Sequence, residues 1–265
     1  MPLRYEYKYF VPNHQLDMLR SMVAPFVKYD KFSEKMAEHH YTVRSIYFDT
    51  PEFTSYFEKV EGIKHRKKYR LRGYNLPDEE NSKVFFEIKR KYEDPIFKNR
   101  APSEFDKALS LFNGGQFRDN LPNTAKYPLA EDNLKRFFYH YHADRLRPVV
   151  LVIYEREAFL GIHDDGIRVT FDKNLRSVAF PALDELYNET RVRRALKDSF
   201  ILEVKFNDHY PAWMKPIIAT LGLKRQSASK YVISIDSHNF IKPKKLPSVY
   251  SHSRIFKNKH YLRNV

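Results

Sequence analysis

Lys68, Arg70 and Arg72 alternate with Tyr69 and Leu71 in KKYRLRGY. The same alternation places Arg4, Glu6 and Lys8 between Tyr5, Tyr7 and Tyr9 in RYEYKYF. It places Glu87, Lys89 and Lys91 between Phe86, Ile88 and Arg90 in VFFEIKRKY, and it recurs with Glu203 and Lys205 in FILEVKF. A strand sends every second side chain to the same side, so each run has one ionic face and one apolar or aromatic face. Both faces can be dry only if the charges meet counter-charges. Lys68, Arg70 and Arg72 would stand roughly 6–7 Å apart along a strand, a spacing that suits successive phosphates of a chain. Arginine gives phosphate a planar two-pronged donor and lysine a point charge. Glu6, between two cations, reads as a metal ligand or as an acceptor for metal-bound water. An exposed edge strand or a self-neutralised surface ladder would use the same residue types. Three Glu-x-Lys repeats on strand-like runs favour the chemical reading: a positive, water-filled groove that holds a polyanion together with a divalent metal.

The elements that must position these side chains follow from periodicity. Residues 3–11 read as a strand, and Pro12-Asn13 opens a helix to about Ala24 with Leu16, Leu19, Met22 and Val23 on one face. Residues 41–49 read as a second strand and 51–60 as a helix, followed by strands at 66–74 and 83–91. A helical insertion is expected at about 101–145, then strands at 148–160, 166–172 and 200–206 and a helix at 211–221. KYVISID reads as a last strand or an ordered tail, and 241–265 as a basic C-terminal tail. The pattern is α+β: an antiparallel β-barrel, closed or nearly so, with peripheral helices and ionic faces turned inward. One domain over 1–240 accounts for it.

The net charge of +14 agrees with a polyanion partner. Only 7 glycines occur, and neither GxxxxGK[ST] nor GxGxxG is present. Phosphate would therefore be held by side chains and not by a backbone cradle. The absence of cysteine excludes disulfides and Cys-bound zinc and fits a reducing cytoplasm. The N-terminus has no apolar signal core, and no apolar run approaches the roughly 18–20 residues that a spanning helix needs. The histidines, His140 and His142 included, show no metal spacing and read as structural. Arg156 in YEREAF shares a face with Tyr154 and Ala158, and Arg168 in IRVTFD shares one with Thr170 and Asp172. A buried arginine at either place needs an anion, supplied by a ligand or by Glu155, Glu157 or Asp172.

Eight motifs in order, RYEYKYFV, VRSIYFDT, KYRLRGY, FFEIKRK with a following FKNRAP, VIYEREAF, IRVTFD, FILEVKF and RQSASKY, give the chain a family likeness over about residues 1–240. It resembles the vacuolar transporter chaperone (VTC) polyphosphate polymerase domain of the triphosphate tunnel metalloenzyme (CYTH-like) superfamily. The resemblance implies a β-barrel tunnel with a basic lining, a Mn²⁺ or Mg²⁺ ion held by glutamate, and transfer of the γ-phosphate of ATP to a growing polyphosphate chain. It matches Lys8, Arg70, Arg72, Lys89, Lys98, Arg156 and Arg168 to basic tunnel positions, Glu203 to the metal ligand, and Ser229 and Lys230 to a phosphate-contacting pair. Arg70, Arg72, Arg156, Arg168 and Lys98 are thus the catalytic candidates. Lys8, Lys68, Lys89, Ser229 and Lys230 are the substrate-binding ones, and Glu203 and Glu6 the metal ligands. Two departures stand out. The superfamily often begins Glu-x-Glu-x-Lys, and here the first position is Arg4, which fits the polymerase branch. A lysine of the eukaryotic pattern falls on Ser227. The expected partners are ATP or another triphosphate and inorganic polyphosphate, with no specific nucleic acid, and any membrane or transport partner would be a separate protein. The alternatives are a triphosphatase of the same fold and a non-catalytic polyphosphate- or polyanion-binding module.

Overall fold

The computed structural model describes residues 4–75, 83–91, 96–117 and 126–241. Its centre is one antiparallel sheet. The strands are β1 (Arg4–Pro12), β2 (Val27–Tyr29), β3 (Tyr41–Asp49), β4 (Arg66–Tyr74), β5 (Lys83–Lys91), β6 (Ile96–Glu104), β7 (Arg147–Gly161), β8 (Arg168–Ala179), β9 (Arg193–Arg194) and β10 (Ser199–Asn207). Their order is β1-β10-β8-β7-β3-β4-β5-β6, with β2 beside β7 and β9 beside β8. The helices are α1 (Leu16–Val23), α2 (Thr54–Val60), α3 (Phe105–Phe112), α4 (Ala130–Ala143), α5 (Met214–Thr220) and α6 (Lys230–His238).

The alternation seen in the sequence becomes two faces. On the convex face Tyr69, Leu71, Phe86 and Ile88 pack with Phe137 and Phe138 of α4, and Leu111 of α3 joins them. Further along the sheet, Val11, Leu202, Val204, Val169 and Phe171 pack with Leu19 and Val23 of α1 and with Met214 and Ile217 of α5. The concave face is divided. One part is dry, where Val43, Val150, Val152 and Ile201 meet Tyr231 and Ile235 of α6 and Tyr56 of α2. The other part carries the ions.

The sheet curls but does not close: among the described residues β1 and β6 end the order and share no ladder. The expectation of a closed or nearly closed barrel is corrected to this extent. Side chains and a loop span the gap instead. Lys89 Nζ on β5 lies 3.8 Å from Glu6 on β1, and the free edge of β1 is met by a bridge from Tyr9 to Arg225 and by Gln226 N–H donating to Lys8 O at 2.9 Å. Gly222, at φ +63, ends α5 in the left-handed region and turns the chain toward this edge.

Two more readings are revised. KYVISID is helix α6, because Ser229 caps it by accepting from Val232 N–H and because Tyr231 and Ile235, four residues apart, bury one face. The helical region begins at 105, because 101–104 completes β6 along β5. The basic tail beyond 241 lies outside the described residues. No helix of the described residues is long and apolar enough to cross a membrane.

Candidate functional site

The ionic part of the concave face encloses a cavity of about 560 Å³. Among the described residues, thirteen lysine and arginine side chains line it against two carboxylates, Glu6 and Glu203. The lining includes ten of the twelve expected site residues: Glu6 and Lys8 on β1, Lys68, Arg70 and Arg72 on β4, Lys89 on β5, Arg156 on β7, Glu203 on β10, and Ser229 and Lys230 at the start of α6. Residues 195 positions apart meet because β1 and β10 pair in register, Lys8 opposite Glu203.

The inner end is an ion-pair network. Lys230 Nζ donates to Glu203 Oε1 at 2.7 Å and also contacts Asp172. Lys8 Nζ donates to the same Glu203 oxygen at 2.9 Å. Lys205 and Arg156 lie 3.3 and 3.8 Å from Glu203 Oε2. Arg156 makes a two-pronged pair with Asp172 at 2.6 and 2.7 Å, so Asp172 is its protein counter-ion. Burial pushes the Glu203 carboxyl up, but Lys230, Lys8, Lys205 and Arg156 outweigh it and hold the group well below the carboxylate range. Glu203 is therefore ionised at neutral pH.

Arg70 and Arg72, two residues apart on one strand, are held differently. Arg70 Nε donates to Glu87 at 2.6 Å and Arg70 Nη1 to Tyr47 Oη at 2.9 Å. Arg72 is 6% exposed, and its one hydrogen bond among the described residues runs from Nε to Ser45 Oγ at 3.0 Å. No carboxylate among them comes within ion-pair distance of it. Burial pushes Tyr47 up, yet Arg70 and Arg72 outweigh it and the phenol lies below its ordinary value. At the outer end Lys68 Nζ donates to Ser229 Oγ at 2.8 Å. Burial, then crowding by Lys89, Lys59, Lys8 and Arg66, holds Lys68 well below the ordinary lysine value. Lys89 is lowered to about 8, by burial first and by Lys8 and Lys205, against the opposing pull of Glu6.

Lys98 and Arg168 do not line the cavity. Lys98 Nζ lies 2.6 Å from Glu87 Oε1, behind Arg70, and burial outweighs that carboxylate and lowers the amine to about 7. Arg168 donates to Asp30 at 2.8 Å and to Tyr41 Oη at 3.4 Å. Tyr47, Lys59 and Arg225 reach the lining from outside the charged stripes and were not among the expected site residues, whereas Tyr154 joins Arg156 there on the face the two share. Arg66 was legible, since it continues the stripe of Lys68, Arg70 and Arg72.

A hard divalent ion needs oxygen donors. Glu6 and Glu203 supply them and face one space, sharing Lys8 and Lys205 as partners. Among the described residues no group of three or more His, Cys, Asp or Glu side chains is arranged to hold a metal. The donor set fits an ion shared with phosphate oxygens and water, the mode usual for Mg²⁺, and does not fit an all-protein cage.

The family model of the VTC domain matches residues 3–239 of the chain. No curated protein matches it. Among solved structures, the crystal structure of a Bacillus halodurans protein provisionally named adenylate cyclase is similar, with a TM-score of 0.46, 12% sequence identity and coverage of 86% of this chain and 94% of that one.

Proposed function

Because the chain belongs to the VTC domain family, we propose that it is a metal-dependent phosphotransferase of the polyphosphate polymerase type, acting on ATP or another triphosphate and on inorganic polyphosphate. The observation that carries this reading is Arg72, a buried guanidinium that lines the cavity with a serine as its partner. Glu87, whose field reaches Arg72, is in contact with Arg70 instead; a buried charge without a contacting counter-charge is expensive, and a phosphate in the cavity would supply one. A phosphate also suits Arg70, whose guanidinium stands beside it on the same face.

In the reaction, the terminal oxygen of the bound chain attacks the γ-phosphorus. A new P–O bond forms, the bond from the γ-phosphorus to the β–γ bridging oxygen breaks, and the nucleoside diphosphate leaves with that oxygen. The attacking oxygen is already anionic, so no general base is needed. Catalysis is positioning and charge neutralisation. Arg70, Arg72 and Arg156 offer donors to the transferring and leaving phosphates. Lys8, Lys68, Lys89, Ser229 and Lys230 hold the rest of the substrate. Lys98 steadies Glu87, the counter-ion of Arg70, and Arg168 anchors the end of β8 against Asp30; both act through other side chains. Glu203 and Glu6 would hold a Mn²⁺ or Mg²⁺ ion, whose chemistry there would be neutralisation of the negative charge on the phosphates.

Incubation with ATP and Mn²⁺ tests the reading. Long, acid-labile phosphate chains support it. Free phosphate or pyrophosphate alone makes the protein a triphosphatase of the same fold. Salt-sensitive binding without turnover makes it a polyanion-binding module.

A further inference from the structure

Buried carboxylates along the sheet meet cations: Asp30 meets Arg168, Glu87 meets Arg70, Glu157 meets Arg20, and Asp172 and Glu203 meet Lys230. Asp49, at the end of β3 and 0% exposed, is held by neutral donors instead. Its Oδ1 accepts from the backbone N–H groups of Thr50 and Ser55 at 2.8 and 2.9 Å, and its Oδ2 from the N–H of Tyr56 at 3.0 Å and from the Tyr231 hydroxyl. The first turn of α2 is thereby capped from outside the helix, since Phe53 before it sits at φ +58 and offers no capping side chain. The fourth donor reaches Asp49 from α6, 182 positions away. Burial, and then Asp49, push the Tyr231 phenol well above its ordinary value, so it keeps its proton and stays the donor. A hydrogen bond to a carboxylate is charge-assisted and roughly twice as strong as a neutral one.

Tyr231 directly follows Ser229 and Lys230, the cap and first residue of α6 and two of the groups proposed to hold substrate. Ser229 Oγ accepts from Lys68 at 2.8 Å, and Lys230 Nζ donates to Glu203 at 2.7 Å and lies 4.8 Å over the Tyr154 ring. The Tyr231 ring stands 5.0 Å from that of Tyr47, whose hydroxyl accepts from Arg70, and Lys68 Nζ lies 5.1 Å from the Tyr231 ring centre. One side chain therefore meets β3 and β4 at the point where the helix enters the cavity. We infer that Asp49 is a positioning residue for the phosphate site: through the Tyr231 hydroxyl it fixes the rotation and depth of the first turn of α6, and so the places of Ser229 and Lys230. A second hydroxyl–carboxylate bond, from Tyr56 to Asp236 at 2.6 Å, ties the same helix to α2 five residues further on, about 7.5 Å along the axis. The two bonds do different things. Tyr56 and Asp236 hold the far end of the helix down, whereas Tyr231 and Asp49 also set the groups that meet the ligand. The inference rests on the phosphate reading of the cavity.

The test compares Tyr231→Phe with Tyr56→Phe by thermal unfolding and by calorimetric titration with tripolyphosphate, the titrations run well below both melting transitions. Each variant deletes one hydroxyl that bonds a carboxylate, and each should melt earlier, Tyr231→Phe by the larger amount because its carboxylate is fully buried. Affinity separates them. Tyr231→Phe should bind tripolyphosphate about fivefold more weakly or worse, the weight of one neutral hydrogen bond, while Tyr56→Phe changes by no more than about twofold. Asp49→Asn should repeat the affinity loss of Tyr231→Phe, and the two substitutions together should lose no more than either alone, because they break one bond. Tyr231→Phe keeps the ring and its contact with Tyr47, so the test stands even if Asp49→Asn, which also disturbs the cap of α2, does not fold. Unchanged affinity in folded Tyr231→Phe, or an equal loss in Tyr56→Phe, overturns the positioning role and leaves the phosphate reading standing. Failure of the wild type to bind tripolyphosphate at all removes the phosphate reading itself, and this inference with it.

Discussion

Arg72→Met separates a ligand-binding arginine from a structural one, because the two roles predict different losses. In the free protein the substitution loses one hydrogen bond to Ser45, worth about 1 kcal/mol. It also removes a desolvated charge that has no carboxylate at ion-pair distance among the described residues, which relieves repulsion from Arg70 but loses the longer-range attraction of Tyr154 and Glu87. Because no carboxylate contacts Arg72 among the described residues, the large cost of breaking a buried contact pair does not arise. At roughly 2–4 °C per kcal/mol for a chain of this size, the melting temperature should hold to within a few degrees. Ligand binding should fall. Loss of charge-assisted hydrogen bonds worth roughly 1.5–3 kcal/mol weakens phosphate binding about 10- to 150-fold. Thermal unfolding with and without tripolyphosphate reads both quantities in one experiment. Leu71→Ala is the control. Leu71, one residue away, is fully buried on the convex face, and its truncation should cost about 2–5 kcal/mol of stability with phosphate affinity unchanged. If Arg72→Met instead melted early and bound tripolyphosphate normally, the guanidinium would be a structural prop and the reasoning from its missing counter-charge would be wrong.

Glu203→Gln leaves Lys8, Lys230, Lys205 and Arg156 short of one negative charge; it should raise the metal concentration needed for activity, lower stability by about 3 kcal/mol, and leave binding of metal-free polyphosphate unchanged or tighter. The depressed Glu203 carboxyl contributes stability that is full above its unfolded value near 4.5 and is lost as pH falls through its folded value, so the variant's deficit should be complete at neutral pH and shrink in acid; equal metal dependence in variant and wild type would instead point to Glu6, the other carboxylate of the lining. Lys89, lowered to about 8 in the free protein, should be drawn back up by a bound polyanion, so binding takes up a proton and affinity falls as pH rises above about 8; titrations in buffers of different ionisation enthalpy should show that uptake and its loss in Lys89→Gln, and an affinity independent of pH between about 7.5 and 9.5 would refute it. Arg70→Ala should sharply reduce turnover, and because it strands the buried Glu87 with Lys98 and Arg100, it should also destabilise the fold, unlike Arg72→Met; a variant with wild-type turnover would remove Arg70 from the site.

The strands that carry the charged stripes are legible in the residues because alternation is a local signal. β3, β4 and β5 lie where Tyr41–Asp49, Arg66–Tyr74 and Lys83–Lys91 place them. α6 was not legible. KYVISID is rich in β-branched residues, and what makes it helical is the Ser229 cap and the burial of Tyr231 against residues far away in sequence. The same distinction holds in the cavity. Cations that continue a strand's parity, Arg66 among them, can be found by counting in twos. Lys59 and Arg225 arrive from a helix and a connection, so only the tertiary structure brings them in. Tyr47 lies in an apolar run where nothing marks its hydroxyl as facing Arg70. Lys98 and Arg168 show the converse: both are cations on strands of the sheet, yet each is taken up by a nearby carboxylate, Glu87 or Asp30, off the lining.

The central claim is that the concave ionic face holds phosphate. The most direct measurement is a crystal structure with a non-hydrolysable ATP analogue or tripolyphosphate and Mn²⁺. The account predicts phosphate oxygens within hydrogen-bond reach of Arg70, Arg72, Arg156 and Lys230, and anomalous signal from the metal between them and Glu203. Phosphates bound only on the convex surface, with Arg72 still paired to Ser45 alone, would contradict it.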